Sequence, residues 1–280
     1  MSIGDQGPDD LGPRARPEPA WADRVRPMPS AAPAIPPPPT GDGAGGARPP
    51  TDDELTNRWR AWAFDTIPEM ARSARAAGAR SVLNGRWLVD TTMAAGERVR
   101  LRDHATLTMH HRGRSDSAVA RTLARNASLG TAAIGAATGA LVTFQEAAPP
   151  TWAAIPFELA AETAIVVAVE LKLVGELHNL ADREILGGGT GERSMLLVGS
   201  WAEKRGVSAT VLLGGGDLLS RQTRNALART LRNRLAGRMG RNLSSLIPLM
   251  AGAAAGAEIN RRATRSLGRD LAEDLGLPIG

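Results

Sequence analysis

Four carboxylates stand in the most apolar stretch of the chain, at Glu158, Glu162, Glu170 and Glu176. Glu158 and Glu162 are one helical turn apart and share a face. A carboxyl group in apolar surroundings holds its proton more tightly unless a cation or a donor meets it. Such a pair suits general acid–base work or metal ligation, and His178 adds an imidazole further along. Glu158, Glu162 and His178 are therefore the candidate catalytic set. Helix-bundle metal sites usually carry a Glu-x-x-His step, and none occurs here. His104 and His110 are six residues apart, on different faces of a helix, with His111 beside them. No metal and no cofactor is expected. The competing role for the acids is structural ion pairing, with Arg121, Arg125 and Arg265 among many candidate partners, and it is the favoured one.

A second set of residues suits binding. Between Asp217 and Gly240, Leu227, Leu231, Leu235 and Met239 recur every four residues and make an apolar row. Arg221, Arg224, Arg229, Arg232, Arg234 and Arg238 surround it. A basic amphipathic helix of this kind lies on anionic lipid, enters a nucleic-acid groove, or covers a core with a solvated face. Nucleic acid is the least favoured partner, because no aromatic stacking platform or zinc-finger pattern accompanies the basic residues. Two glycine loops, Gly187 to Ser194 and Gly214 to Asp217, lack the Gly-Lys-Ser/Thr step of a phosphate loop. They are taken as linkers and helix boundaries.

The elements that must position these residues are helical. Aromatic residues are 3% of the chain, with no Tyr, so Ala, Leu and Val must fill the interior. Ala is the best helix former. Of the 34 cationic residues all but Lys172 and Lys204 are Arg, and the formal net charge is +5. That excess is mild, and GC-rich coding is favoured over a selected nucleic-acid surface as its explanation. Cysteine is absent, which excludes disulfides, thiolate nucleophiles and Cys-ligated zinc. The start has no basic region followed by an apolar run, so cytoplasmic residence is expected, with the inner face of the cell membrane as the place of any association.

Residues 1–50 hold 13 of the 19 prolines and read as a disordered arm with polyproline II character. Order is expected from Thr51, an N-cap followed by Asp52, Asp53 and Glu54. One helix is expected through Trp59 and Trp62, kinked near Pro68, with another from Arg86 to about His110. Residues 51–113 form an N-terminal helical region and 114–280 a helical core. Within the core, 126–145 is a charge-free run of 20 residues, long enough to qualify as a membrane-span candidate but poor in large aliphatics. After Pro149-Pro150 a second apolar helix reaches Leu180, making a helical hairpin. Gly135 and Gly139 form a G-x-x-x-G step, and Gly252 and Gly256 form another in a nearly identical string. Such steps let backbones approach closely, and these two helices are expected to pack on each other or on equivalent neighbours. The fold expected is an all-α multi-helix bundle around a central apolar hairpin.

This order of features resembles the EcsC family of bacterial proteins. A small-residue helix from Gly130 to Phe144 leads through prolines into a long apolar helix from Ile155 to His178. Leu246-Ile-Pro-Leu-Met-Ala-Gly-Ala-Ala-Ala-Gly-Ala-Glu-Ile-Asn260 then precedes Arg-Arg-Ala-Thr-Arg. The likeness covers roughly 114–270, with its middle poorly matched. It implies an accessory component encoded beside an ABC transporter and carries over no catalytic residues. Leu177-His178-Asn179 stands where family members often have a tyrosine, and the proline-rich arm is an addition. The function expected first is a non-enzymatic membrane-associated or transporter-accessory protein meeting an anionic membrane surface or a membrane protein. The alternatives are an enzyme with a buried Glu/His site and a nucleic-acid binder.

Overall fold

The computed structural model describes residues 34–39, 50–111, 113–146, 153–183, 190–207, 221–244 and 251–279. The turn at Pro149-Pro150, both glycine loops before Thr190 and Asp217, and Pro248 lie outside the described residues. So does most of the proline-rich arm. The described residues are helical apart from short connections: α1 (Asp52–Ala77), α2 (Ala79–Leu83), α3 (Arg86–Arg98), α4 (His104–His110), α5 (Asp116–Glu146), α6 (Ile155–Leu180), α7 (Thr190–Lys204), α8 (Arg221–Ser244) and α9 (Ala251–Asp274). The chain is all-α.

Helix α1 starts where its capping chemistry dictates. The Thr51 hydroxyl accepts from the Glu54 amide while the Glu54 carboxylate accepts from the Thr51 amide at 2.8 Å, a reciprocal capping box. The helix runs unbroken through Pro68. That proline lies on the exposed face, so the carbonyl one turn back loses its partner to water rather than to the core. Leu55, Trp59, Ala63, Ile67, Met70 and Ala74 bury the opposite face.

The single helix expected from Arg86 to His110 is two helices. Val99 takes an extended conformation, and Asp103 caps α4 by accepting the Thr106 amide at 2.7 Å. The break is held from outside. Lys172 donates to the Arg100 carbonyl at 3.0 Å, Asn179 to the Arg102 carbonyl at 2.8 Å and Arg193 to the Val99 carbonyl at 2.6 Å. Tertiary partners thus satisfy carbonyls that a continuous helix would have used internally.

Helix α6 is the centre. From Glu158 to Leu180 each residue is buried except Lys172 and His178, and α6 touches each of the other described helices. A helix covered all round has no polar face, which is why its sequence shows no amphipathic period. Helix α5 packs on α6 but makes its most extensive seam with α9. There the backbones come so close that a Cβ on Gly135 would lie 2.6 Å from the Gly256 carbonyl oxygen, and one on Gly139 would lie 2.6 Å from the Ala253 Cα. Gly252 lies in α9, but its surroundings fall outside the described residues. Among the described residues no helix is long and apolar enough to cross a membrane. The charge-free run expected as a candidate span lies in α5, and none of its residues from 126 to 142 is exposed.

The seam is testable. Gly139→Val should cost about 2–3 kcal/mol by forcing the two backbones apart. Gly199→Ala on α7, where an added Cβ meets nothing, should be neutral or stabilising by up to about 1 kcal/mol. Urea denaturation of the two variants checks both.

Candidate functional site

The four acids of α6 are all buried, and each meets an interacting partner. Glu170 is wholly buried, 0% exposed. Arg234 of α8 grips it with both guanidinium nitrogens at 2.9 Å, Arg205 at the end of α7 makes a second ion pair, and the Trp201 indole donates to it at 2.8 Å. Burial alone pushes the Glu170 carboxyl up, but Arg234 and then Arg205 pull it further the other way, to about 2. The Thr264 hydroxyl donates to Glu170 at 3.0 Å and accepts from Thr131, also at 3.0 Å. Asn260 donates to the Thr131 carbonyl at 3.1 Å and to Glu162 at 2.8 Å. A continuous buried polar chain therefore joins α5, α6, α7, α8 and α9.

Glu176 makes a second cluster, accepting both nitrogens of the Arg102 fork at 2.8 Å and pairing with Lys172 one turn earlier. Burial again pushes this carboxyl up, and Arg102 and Lys172 bring it below its ordinary range. Glu158 faces Arg75 of α1 at 3.5 Å. The partners expected for these acids were others. Arg125 pairs instead with Asp52.

The candidate catalytic set does not assemble. Glu158, Glu162 and His178 lie on one unbroken helix, and the sixteen residues from Glu162 to His178 span about 24 Å at the helical rise. Glu162 is occupied by Asn260, and the His178 ring bonds through Nδ1 to the Val174 carbonyl at 2.8 Å. Burial pushes the His178 imidazole below its ordinary value, against the opposing pull of that carbonyl. A straight helix cannot bring side chains together across several turns, so His178 does not join Glu158 and Glu162 in one site.

The basic row of α8 divides between core and surface. Leu227, Leu231 and Leu235 are buried and Met239 packs at the core margin. Arg234, expected on the anionic-binding surface, instead turns inward to Glu170, because it sits one residue before Leu235 on the face that meets α6. Arg221, Arg229 and Arg232 face outward. Arg224 is half-exposed and pairs with Asp90 of α3. The Arg238 side chain lies outside the described residues.

The outward arginines line a groove whose far wall is the corner between α2 and α3. Two adjoining hollows, of about 570 and 360 Å³, share Asn84, Asn225 and Ala228. Arg229 and Arg232 line the first, and Arg86, Arg221 and Arg224 the second. Among the described residues no acid lines either. The corner depends on Gly85, whose φ of +80° is left-handed and whose missing side chain admits α8: a Cβ there would lie 2.9 Å from the Ala228 carbonyl oxygen. Leu83, the residue before Asn84, is 50% exposed. Sequence reasoning found the α8 side of the groove and missed Asn84, Gly85 and Arg86. The Asn-Gly dipeptide is a turn signal, but nothing in the spacing tells which helix the turn will face.

The fold and this surface define an all-α protein built around one buried helix and carrying a cationic groove. Comparison of the chain with family models, with curated proteins and with solved structures finds no match.

Replacing Glu170 by Gln should destabilise the fold by about 3–5 kcal/mol, because two guanidinium groups keep their burial and lose their counter-charge. The pH dependence has a definite sign. Glu170 is held at about 2 against an ordinary value of 4.5, so its stabilisation is complete above about 4.5 and is lost as pH falls towards about 2. Urea midpoints measured across that window should fall less steeply for the Gln variant than for the natural chain.

Proposed function

We propose that this is a non-enzymatic, peripheral membrane-associated or transporter-accessory protein of the cytoplasmic face, docking on anionic headgroups through the α8 groove. The observation that carries the reading is the groove itself: five arginines, no acid among its described lining residues, and an exposed Leu83 next in sequence to its wall residue Asn84. Guanidinium groups bind phosphate and carboxylate oxygens in forked geometry. An apolar side chain beside them gains by entering the headgroup boundary. Arg86, Arg221, Arg229 and Arg232 have no carboxylate partner among the described residues, so they meet an anion without first breaking an ion pair. His178 stands several turns from Glu158 and Glu162, so the three-residue acid–base set on which an enzymatic reading rested does not assemble. The resemblance to the EcsC family supports a role beside a transporter. The apolar hairpin of α5 and α6 is occupied as core, which favours attachment by surface charge over insertion.

Neutralising Arg229 and Arg232 together, each to Gln, should weaken binding to phosphatidylserine-containing vesicles about 30-fold, since each basic residue near such a surface contributes about 1 kcal/mol. Binding to pure phosphatidylcholine vesicles should be weak for both proteins. Unchanged affinity for the anionic vesicles would remove the lipid role. Tight binding to DNA or RNA with a steep salt dependence would transfer the groove to nucleic acid.

A further inference from the structure

Residues 34–39 are the described part of the proline-rich arm, and they carry an inference separate from the α8 groove. Ile35 is followed by four prolines, Pro36 to Pro39. Proline fixes φ near −65° and has no N–H, so the segment takes neither helix nor strand and favours the three-residue turn of polyproline II. Its exposure follows that period. Ala34 and Pro37 are exposed, while Ile35, Pro36, Pro38 and Pro39 are half-buried. One edge of the ribbon faces solvent and two face the protein.

The ribbon is seated at both ends. Ile35 packs against the hydrophobic core. Pro39 closes a cavity of about 40 Å³ walled by Trp59 of α1, Leu123 of α5 and Leu173 of α6 on one side and by the mutually paired Arg102, Lys172 and Glu176 on the other. Trp59 is only 4% exposed, and its indole N–H has no acceptor among the described residues. The indole is held in place by its neighbours. A Cβ on Gly130 would lie 2.5 Å from the ring, and Trp62 meets it edge-on with centroids 5.5 Å apart. A rigid aromatic ring against an extended proline-rich segment is the apolar platform on which proline-reading grooves rely. Residues 34–39 make no hydrogen bond or ion pair to the described residues. They are held by apolar contact and shape, which leaves them exchangeable.

We infer that the Trp59 groove between α1, α5 and α6 is a seat for an uncharged, extended proline-rich segment, and that Ala34–Pro39 is its intramolecular occupant. Residues 40–49 tether the segment to α1, and a short tether gives an effective concentration on the order of mM. A proline-rich segment of a partner must displace the tethered copy before it binds.

The test uses the full chain and a synthetic peptide of residues 33–40, read through the tryptophan indole N–H resonances, with Trp59 assigned by Trp59→Phe. In an Ile35→Asp/Pro38→Asp variant the Trp59 resonance should move. The peptide should return it towards its natural position at a concentration at least about 10-fold below that needed to perturb the unsubstituted chain. A Trp59 resonance identical in variant and natural chain, or one that the peptide does not restore, overturns the inference. A second measurement needs no substitution. A spin-labelled copy of the peptide in large excess should broaden the Trp59 resonance of the natural chain. A resonance that stays sharp means the ribbon is a fixed part of the core and overturns the proposal independently.

Discussion

Taking a carboxylate out of water costs several kcal/mol unless cations and donors replace its hydration. Glu170 sits at the middle of a helix with no exposed face, and much of the architecture follows from meeting that cost. Arg234 must come from α8, Arg205 and Trp201 from α7, and Thr264 from α9. Three helices are thereby fixed in rotation about α6, since each has to present one particular side chain to one point. Apolar packing alone would tolerate small slips of these helices. A fully satisfied ionic cluster does not, because a slip leaves a buried charge without its partner. The Glu176 cluster acts likewise at the far end of α6, where it holds the connection between α3 and α4.

The second constraint is distance. The hydroxyl and amide chain from Glu162 through Asn260, Thr131 and Thr264 to Glu170 crosses from α6 to α9 to α5 and back. Short side chains such as Thr and Asn span this path only if the helix backbones are nearly in contact. Gly135, Gly139 and Gly256, with Ala253, supply that contact. The scarcity of aromatics and abundance of Ala and Gly therefore serve the polar network as well as the apolar core. Trp59, Trp87 and Trp201 are the large aromatic side chains buried in this small-residue interior.

Surface chemistry is what remains after these requirements are met. Helix α8 carries more arginines than the core consumes. Arg234 turns inward to Glu170, Arg224 pairs with Asp90 at the groove's edge, and Arg221, Arg229 and Arg232 line the groove opposite the Gly85 corner. The groove is cationic because its α8 wall belongs to a helix whose inward face had to be both apolar and basic. The seated proline ribbon is the other surface feature, and it rests on Trp59, which α5 holds against Gly130.

The sequence by itself determined the helical class, the start of α1, the apolar row of α8 and the kind of contact that Gly135 and Gly139 make. These depend on local propensity, capping and spacing within a few turns, which a single segment carries in full. Composition also pointed to a small-residue interior. Tertiary structure alone decided which cation meets which carboxylate. With 32 arginines available, spacing within one helix says nothing about the partner helix, and Arg234 and Arg229 look alike until α6 is placed beside them. It also decided that α3 and α4 are separate, since the groups that hold the break come from α6 and α7. The far wall of the groove and the seat beneath Pro39 follow the same rule. Each is a surface shared by elements distant in the chain, and the burial that gives its residues their chemistry exists only once those elements have met.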